Sequence, residues 1–335
     1  MPLKFAFAGF RHGHILELLR QARAHPECEV VACSEEDPAT RESLKGRVDF
    51  THERHARMFE AVECDVVAVG DYYAARGGLA LEALRRGRHV IGDKPLCTRL
   101  EELVELGRLA KERGRAVGCQ LGQPYHPNFQ RLRQLVREGR LGTIHQIAFG
   151  GQHPLLYGSR PGWYFEDGKH GGTINDIAIH GIHMLPKVTG LRVARILAAR
   201  QWNAFAAEAP RFMDSAQFML ELDNGAGLLG DVSYAMPASH GYTLPQYWRF
   251  TVFGSKGVAE TAPTLDHVAF AEEGVKEVQR LPGLKIEASY LDSFLAEIRG
   301  APDAEGNTTA DVLEATRVTL LIQQAAETGA RDVAV

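Results

Sequence analysis

Short apolar runs alternate with helix-period segments through the first 120 residues, and no other feature restricts the possible folds so strongly. Residues 4–8 read as a strand that stops at Gly9, 15–24 as a helix closed by His25 and Pro26, and 30–33 as a second strand. Residues 64–69 form another apolar run stopped by Gly70, 76–86 a helix ended by Gly87, and 89–91 a further strand. Leu100, Leu103, Val104, Gly107 and Ala110 then mark one helix face, and 116–121 closes the series. The strands are apolar without alternation. That is the pattern of a parallel sheet covered by helices on both faces, where neither side of a strand meets water. The expectation is a doubly wound α/β domain over residues 1–122.

The pattern changes after Gly122. Residues 128–138 suggest one more helix, and from Thr143 onward the strand signals lengthen and alternate. Runs 216–222 and 228–234 flank Asp223-Asn224-Gly225, and Asn-Gly between alternating runs is a strong hairpin signal. Residues 248–253 and 275–281 read as further strands, and 310–328 as an amphipathic helix that can pack back on the first domain. Residues 123–335 are therefore expected to form an α+β domain with a largely antiparallel sheet. The full length of 335 residues supports two domains, since single cores rarely grow beyond roughly 250–300 residues.

Composition narrows the function. A formal net charge of -4 gives no reason to expect a nucleic-acid partner. The five cysteines form no CxxC pair, and Cys33 and Cys119 fall in strand positions where a buried thiol packs as a small apolar group. That usage suits a reducing cytoplasm rather than disulfides or zinc. No run approaches 18 apolar residues, and the start is too short an apolar run for a signal peptide, so no membrane partner is expected.

Four segments carry chemistry. Gly9-Phe10-Arg11-His12-Gly13-His14 sits at the first strand–helix junction, where a tight turn lets amides at a helix N-terminus face a pyrophosphate. Arg11 and His14 stand at the second and third positions of the G-x-G-x-x-G pattern, so by itself the turn reads equally well as a plain strand–helix connection. Glu35 ends the second strand, where a carboxylate can accept ribose hydroxyls and repel a 2′-phosphate. Asp93-Lys94-Pro95 follows a buried strand, at the carboxyl edge where such sheets bind ligands. Gly171-Gly172 precedes a nearly apolar segment in which Asp176, His180 and His183 are spaced i, i+4 and i+7 and so share one helix face. A carboxylate and two imidazoles on a mostly buried helix suggest a site. A metal bound by His180, His183 and His153 is the competing reading; no HExxH or cysteine spacing accompanies it, and no metal is expected.

Taken together, these segments resemble the Gfo/Idh/MocA family of sugar and cyclitol dehydrogenases. Ala80-Leu81-Glu82-Ala83-Leu84, Gly87-Arg88-His89-Val90 and Asp93-Lys94-Pro95 are similar to that family's "AleaGkHV…EKP" segment. Asp176-x-x-x-His180 after Gly171-Gly172 resembles its D-x-G-x-H segment, and residues 137–142 resemble the turn between its domains. The resemblance implies that residues 1–122 are a dinucleotide-binding Rossmann domain. It also implies an open sheet in the second domain, bound NAD (NADP not excluded), and a homodimer or homotetramer joined through that sheet. It carries catalysis onto Lys94, Asp176 and His180. Cofactor contacts are expected at Gly9, Phe10, Arg11, His12, Gly13, Glu35, Asp71, Tyr72, Asp93, Lys94 and Pro95. This chain departs from the family pattern in several places. Asp93 replaces the usual Glu, residues 71–76 match none of T-P-N-x-x-H, Arg11 and His14 alter the glycine loop, and His183 stands where Asp is common.

The reaction implied is hydride transfer between a nicotinamide and a secondary hydroxyl of a sugar-like substrate. His180 would be the base, Lys94 the group on the substrate oxygen, and Asp176 an orienting carboxylate; Lys94 could itself be the base if burial depresses its pKa. His153, Trp163, Tyr164 and His183 are candidate substrate contacts; Trp163 and Tyr164 read equally as core. Two alternatives stay open: hydrolysis or elimination of a glycoside through a transient keto-sugar, and a non-catalytic dinucleotide sensor.

Overall fold

The computed structural model describes residues 1–302 and 306–335. Its chain forms two compact units that do not follow one cut in the sequence. The first joins residues 1–120, 161–171 and 289–316, and the second joins 121–160, 172–288 and 317–335.

The first unit contains β1 (Leu3–Ala8), α1 (His14–Ala24), β2 (Cys28–Ser34), α2 (Pro38–Ser43), α3 (His55–Ala61), β3 (Val66–Val69), α4 (Tyr73–Arg85), β4 (His89–Gly92), α5 (Leu100–Arg113) and β5 (Val117–Cys119). The strands pair in parallel in the order β2-β1-β3-β4-β5. Every residue of β3 and β4 is buried, which is why these runs show no alternation. Helix α1 buries Ile15, Leu18, Leu19 and Ala22, one stripe at helical spacing. Helix α5 stops where Gly114 turns left-handed with φ of 59°.

The second unit contains α6 (Pro127–Arg137), β6 (Ile144–Pro154), α7 (Ile179–Thr189), β7 (Val193–Trp202), β8 (Ser215–Leu222), β9 (Gly227–Met236), β10 (Phe250–Gly254), β11 (Gly257–Thr261), β12 (His267–Glu272) and β13 (Gln279–Pro282). Helix α8 (Tyr290–Ile298) returns to the first unit, α9 (Thr309–Thr328) has residues in both, and β14 (Val333–Ala334) closes the chain in the second. The nine-stranded sheet runs β13-β12-β11-β10-β6-β9-β8-β7-β14. It is antiparallel except where β6 lies parallel to β9. Strand β9 alternates buried and exposed over most of its length, as a sheet with one covered face requires.

Three element expectations change. The strand read at 248–253 begins only at Phe250, and Trp248 lies in a turn with φ of 60°. Of 275–281 only the part from Gln279 pairs, as an edge; Lys276 and Glu277 have no face to bury. Helix α4 starts at Tyr73, so Tyr73 and Arg76 lie in its first turn.

Candidate active site

In the first unit the strand order reverses between β1 and β3, and ligands of such sheets bind outside the carboxyl ends at that reversal. Gly9 ends β1 with φ of 86°, and a Cβ there would fall 2.6 Å from Asp71, so only glycine fits. Among the described residues the amides of Arg11 and Gly13 meet no acceptor, and α1 begins one residue later. This is the donor set a pyrophosphate needs, so the turn fits a dinucleotide despite Arg11 and His14. Glu35 is 1% exposed, with its carboxylate turned inward. One oxygen accepts the Phe10 amide at 2.5 Å and the other the Asp37 amide at 2.8 Å. Burial pushes the Glu35 pKa up and those two amides oppose it. Glu35 therefore shapes the glycine turn itself, a role the sequence does not reveal. Asp71 accepts the Tyr72 amide at 2.6 Å and faces His55 at 3.2 Å, and Arg11 lies over the Tyr72 ring at 5.9 Å.

Three of the departures from the family pattern, Asp93, Arg76 and His14, meet around the buried Asp93 carboxylate. The Asp93 carboxylate receives Arg76 at 2.9 Å, His12 Nδ1 at 2.5 Å and His14 Nδ1 at 3.4 Å. Arg76 also donates to the carbonyl oxygens of Lys94 at 2.6 Å and Pro95 at 3.2 Å, so it holds the whole Asp93-Lys94-Pro95 segment. Burial alone would raise the Asp93 pKa; Arg76 and the imidazoles override it and keep the group well below the usual carboxylate range. Burial lowers His12 to about 3, so at neutral pH it carries one ring proton. With that proton on Nδ1 toward Asp93, Nε2 can accept from the Tyr73 hydroxyl, 3.3 Å away. Tyr73 in turn meets the Tyr164 hydroxyl at 2.7 Å. His12, His14 and Asp93 bring ligand-type atoms within 4.8 Å of one another, but Arg76 already neutralises the carboxylate beside a helix N-terminus, which disfavours a cation. Lys94 is buried at the end of β4, its ammonium 6.0 Å from the centre of the Tyr73 ring.

Trp163 and Tyr164 follow β6 in sequence but belong to the first unit. Both are buried against Tyr73, and the Trp163 indole donates to the Arg11 carbonyl at 3.0 Å. They are core of the glycine-turn region, the second of the two readings the sequence leaves open.

In the second unit, Ile174–Ala178 form a π-helical turn that runs into α7. The spacing of Asp176, His180 and His183 thus starts in a widened turn, a feature found often at functional sites. All three side chains are buried. The turn is capped from far along the chain: Gln323 in α9 accepts the Ile174 amide at 3.1 Å. Gly172, with φ of 96°, leaves the room that the Gln323 amide fills. The Tyr234 hydroxyl, from β9, donates to the Asp176 carboxylate. The His180 ring lies 4.5 Å from Trp248, and His153 lies 4.9 Å from Trp248 and 6.1 Å from Tyr234. Tyr234, Trp248 and Gln323 escape sequence reasoning because nothing local ties them to Asp176 or His180. The buried carboxylate and imidazole can orient and deprotonate a hydroxyl.

Both parts of the chain match known protein families. Residues 3–121 match the oxidoreductase family with an NAD-binding Rossmann fold, and residues 129–260 match the GFO/IDH/MocA C-terminal domain. The uncharacterized oxidoreductase YrbE of Bacillus subtilis is 24% identical over 83% of this chain and 80% of its own length. A D-xylose dehydrogenase of Paenarthrobacter nicotinovorans is 27% identical over 50% of this chain and 47% of its own. The solved structure of a putative oxidoreductase from Thermotoga maritima superposes with a TM-score of 0.85 at 23% identity, covering 99% of this chain and 100% of the other. The turn at Gly9, the Asp93-Lys94-Pro95 edge and the Asp176/His180 helix thus stand in a chain that belongs to the Gfo/Idh/MocA family of NAD-binding oxidoreductases.

Proposed function

We propose that this oxidoreductase oxidises a secondary hydroxyl of a sugar, sugar derivative or cyclitol, with NAD as the cofactor in preference to NADP. The observation that carries the reading is the buried pair Asp176 and His180, a carboxylate and an imidazole on one helix of the second unit. Nicotinamide, when bound, supplies the hydride acceptor. His180 takes the hydroxyl proton, and Asp176, held by Tyr234, orients the reacting group. Lys94 sits on the substrate oxygen and stabilises its developing negative charge. His153 and His183 contact the remaining hydroxyls. The amides of Arg11 and Gly13 hold the pyrophosphate, and Glu35, although its oxygens are turned inward onto the Phe10 and Asp37 amides, keeps a carboxylate at the end of β2 that disfavours a 2′-phosphate. The D-xylose dehydrogenase among the relatives supports the substrate class.

The open face of the nine-stranded sheet exposes Met219 (46%) and Leu229 (48%), which are paired in register, and this face supports a homodimer or homotetramer. The free thiols of Cys28, Cys33, Cys64 and Cys119 suit a reducing cytoplasm.

The test is NAD reduction screened against polyols, aldoses and cyclitols. On the substrate so found, Lys94→Ala and His180→Asn should each lower turnover by about 10²–10⁴-fold while NAD binding, read by calorimetry, stays within about threefold. Full activity in either variant would overturn the assigned roles. Turnover with no net NADH would instead favour glycoside cleavage through a keto-sugar.

A further inference from the structure

Trp248 holds a backbone conformation that bulky side chains rarely take, with φ of 60° in the left-handed region. Such a conformation persists only where the surroundings over-determine it, and it concentrates where a side chain must be aimed. The surroundings here do over-determine it. The indole is 2% exposed. Phe149 stacks on it at 6.0 Å with planes 21° apart, His153 meets it at 4.9 Å, and the His180 imidazole meets it edge-on at 4.5 Å. Two glycines clear the space. A Cβ on Gly151, in β6, would lie 3.0 Å from the Trp248 ring, and a Cβ on Gly181, next to His180, would lie 2.5 Å from the Phe149 ring. A side chain at Gly181 would displace the Phe149 ring, and one at Gly151 would crowd Ile177 at 2.8 Å and press on the Trp248 ring. Plain core filling needs none of this: a tryptophan on relaxed backbone buries the same area.

We propose that Trp248 is a positioning residue for His180. Backed by Phe149 and seated against Gly151, its ring fixes the plane of the imidazole and so the direction of the nitrogen that takes the substrate proton. This rests on the reading of His180 as the base.

The experiment compares Trp248→Ala, Trp248→Phe and His180→Asn, using the sugar or cyclitol identified by the NAD-reduction screen. Trp248→Ala should lower kcat about 10–100-fold, as misplacement of a catalytic group by about 1 Å does, with KM and the calorimetric NAD affinity within about threefold. Trp248→Phe should restore kcat to within about threefold, because an aromatic face again meets the imidazole. Should Trp248→Ala fail to fold, Phe149→Leu removes only the backing of the wedge and should lower kcat with the same unchanged KM. A Trp248→Ala enzyme with unaltered kcat, or a loss that falls on KM, or one that Phe does not rescue, overturns the proposal. An inactive His180→Asn beside a fully active Trp248→Ala defeats the positioning role alone; an active His180→Asn defeats the base assignment first.

Discussion

Asp93 shows what one buried charge demands of its neighbours. It is fully enclosed and paired with an equally enclosed Arg76. Removing one member of such a pair leaves the other uncompensated, so Arg76→Met should cost about 3–5 kcal/mol in urea unfolding. Replacing both, as Arg76→Met with Asp93→Leu, should recover part of that loss, since no charge is then stranded. His12 gives the second test at this scale. Its pKa is about 3 in the fold against about 6.5 in an unfolded chain, so as pH falls the unfolded state takes up the proton first. Stability is therefore full above about pH 6.5 and falls toward pH 3, by an amount on the order of a few kcal/mol. His89, lowered by burial to about 4, adds to the same slope. Denaturation midpoints measured at pH 7.5, 6 and 5 should decline, and His12→Asn should flatten the decline without abolishing it. An unchanged slope in that variant would show that His12 is not held neutral. None of this pairing was legible from residues 71–76, which looked only like a lost motif. The signal that could have found it is an arginine in the first turn of a helix that otherwise buries Tyr73, Gly77, Ala80, Leu81 and Leu84.

At the scale of elements, the informative piece is the turn that carries Asp176. The spacing of Asp176, His180 and His183 predicts a shared face, and that much is local. Its shape is not local, because the amides that open it are accepted by Gln323, 149 residues further on. Gly172→Ala places a methyl on the Gln323 amide and forces an alanine to φ of 96°, so it should destabilise by more than about 1 kcal/mol and lower turnover. Gln323→Met, similar in size and lacking the acceptor, should cost about 1–2 kcal/mol and lower kcat more than KM. A Gln323→Met enzyme with wild-type stability and kcat would show that the cap is dispensable. The capping box of α8, where Ser289 and Asp292 exchange backbone bonds, is the opposite case: four adjacent residues contain the whole instruction.

For the whole molecule, cofactor preference is the measurable quantity. Ligand that binds only the folded state stabilises it by about 2.7 kcal/mol at 100 times its dissociation constant. NAD should raise the first unit's unfolding midpoint at concentrations where NADP does not; a larger shift with NADP would overturn the preference drawn from Glu35. The sequence by itself determined the parallel sheet, the β8–β9 hairpin and the candidacy of Lys94, Asp176 and His180. Each is written in short-range features: runs buried on both faces, a turn dipeptide, a helical spacing, a motif of adjacent residues. Only the tertiary structure decided that Trp163 and Tyr164 pack under the glycine turn, that Glu35 faces inward, and that Trp248 stands against His180. The physical reason is the same for all three. Burial and hydrogen-bond partners are supplied by segments distant in the chain, and the residue types involved are equally at home in core, loop or site until those segments arrive.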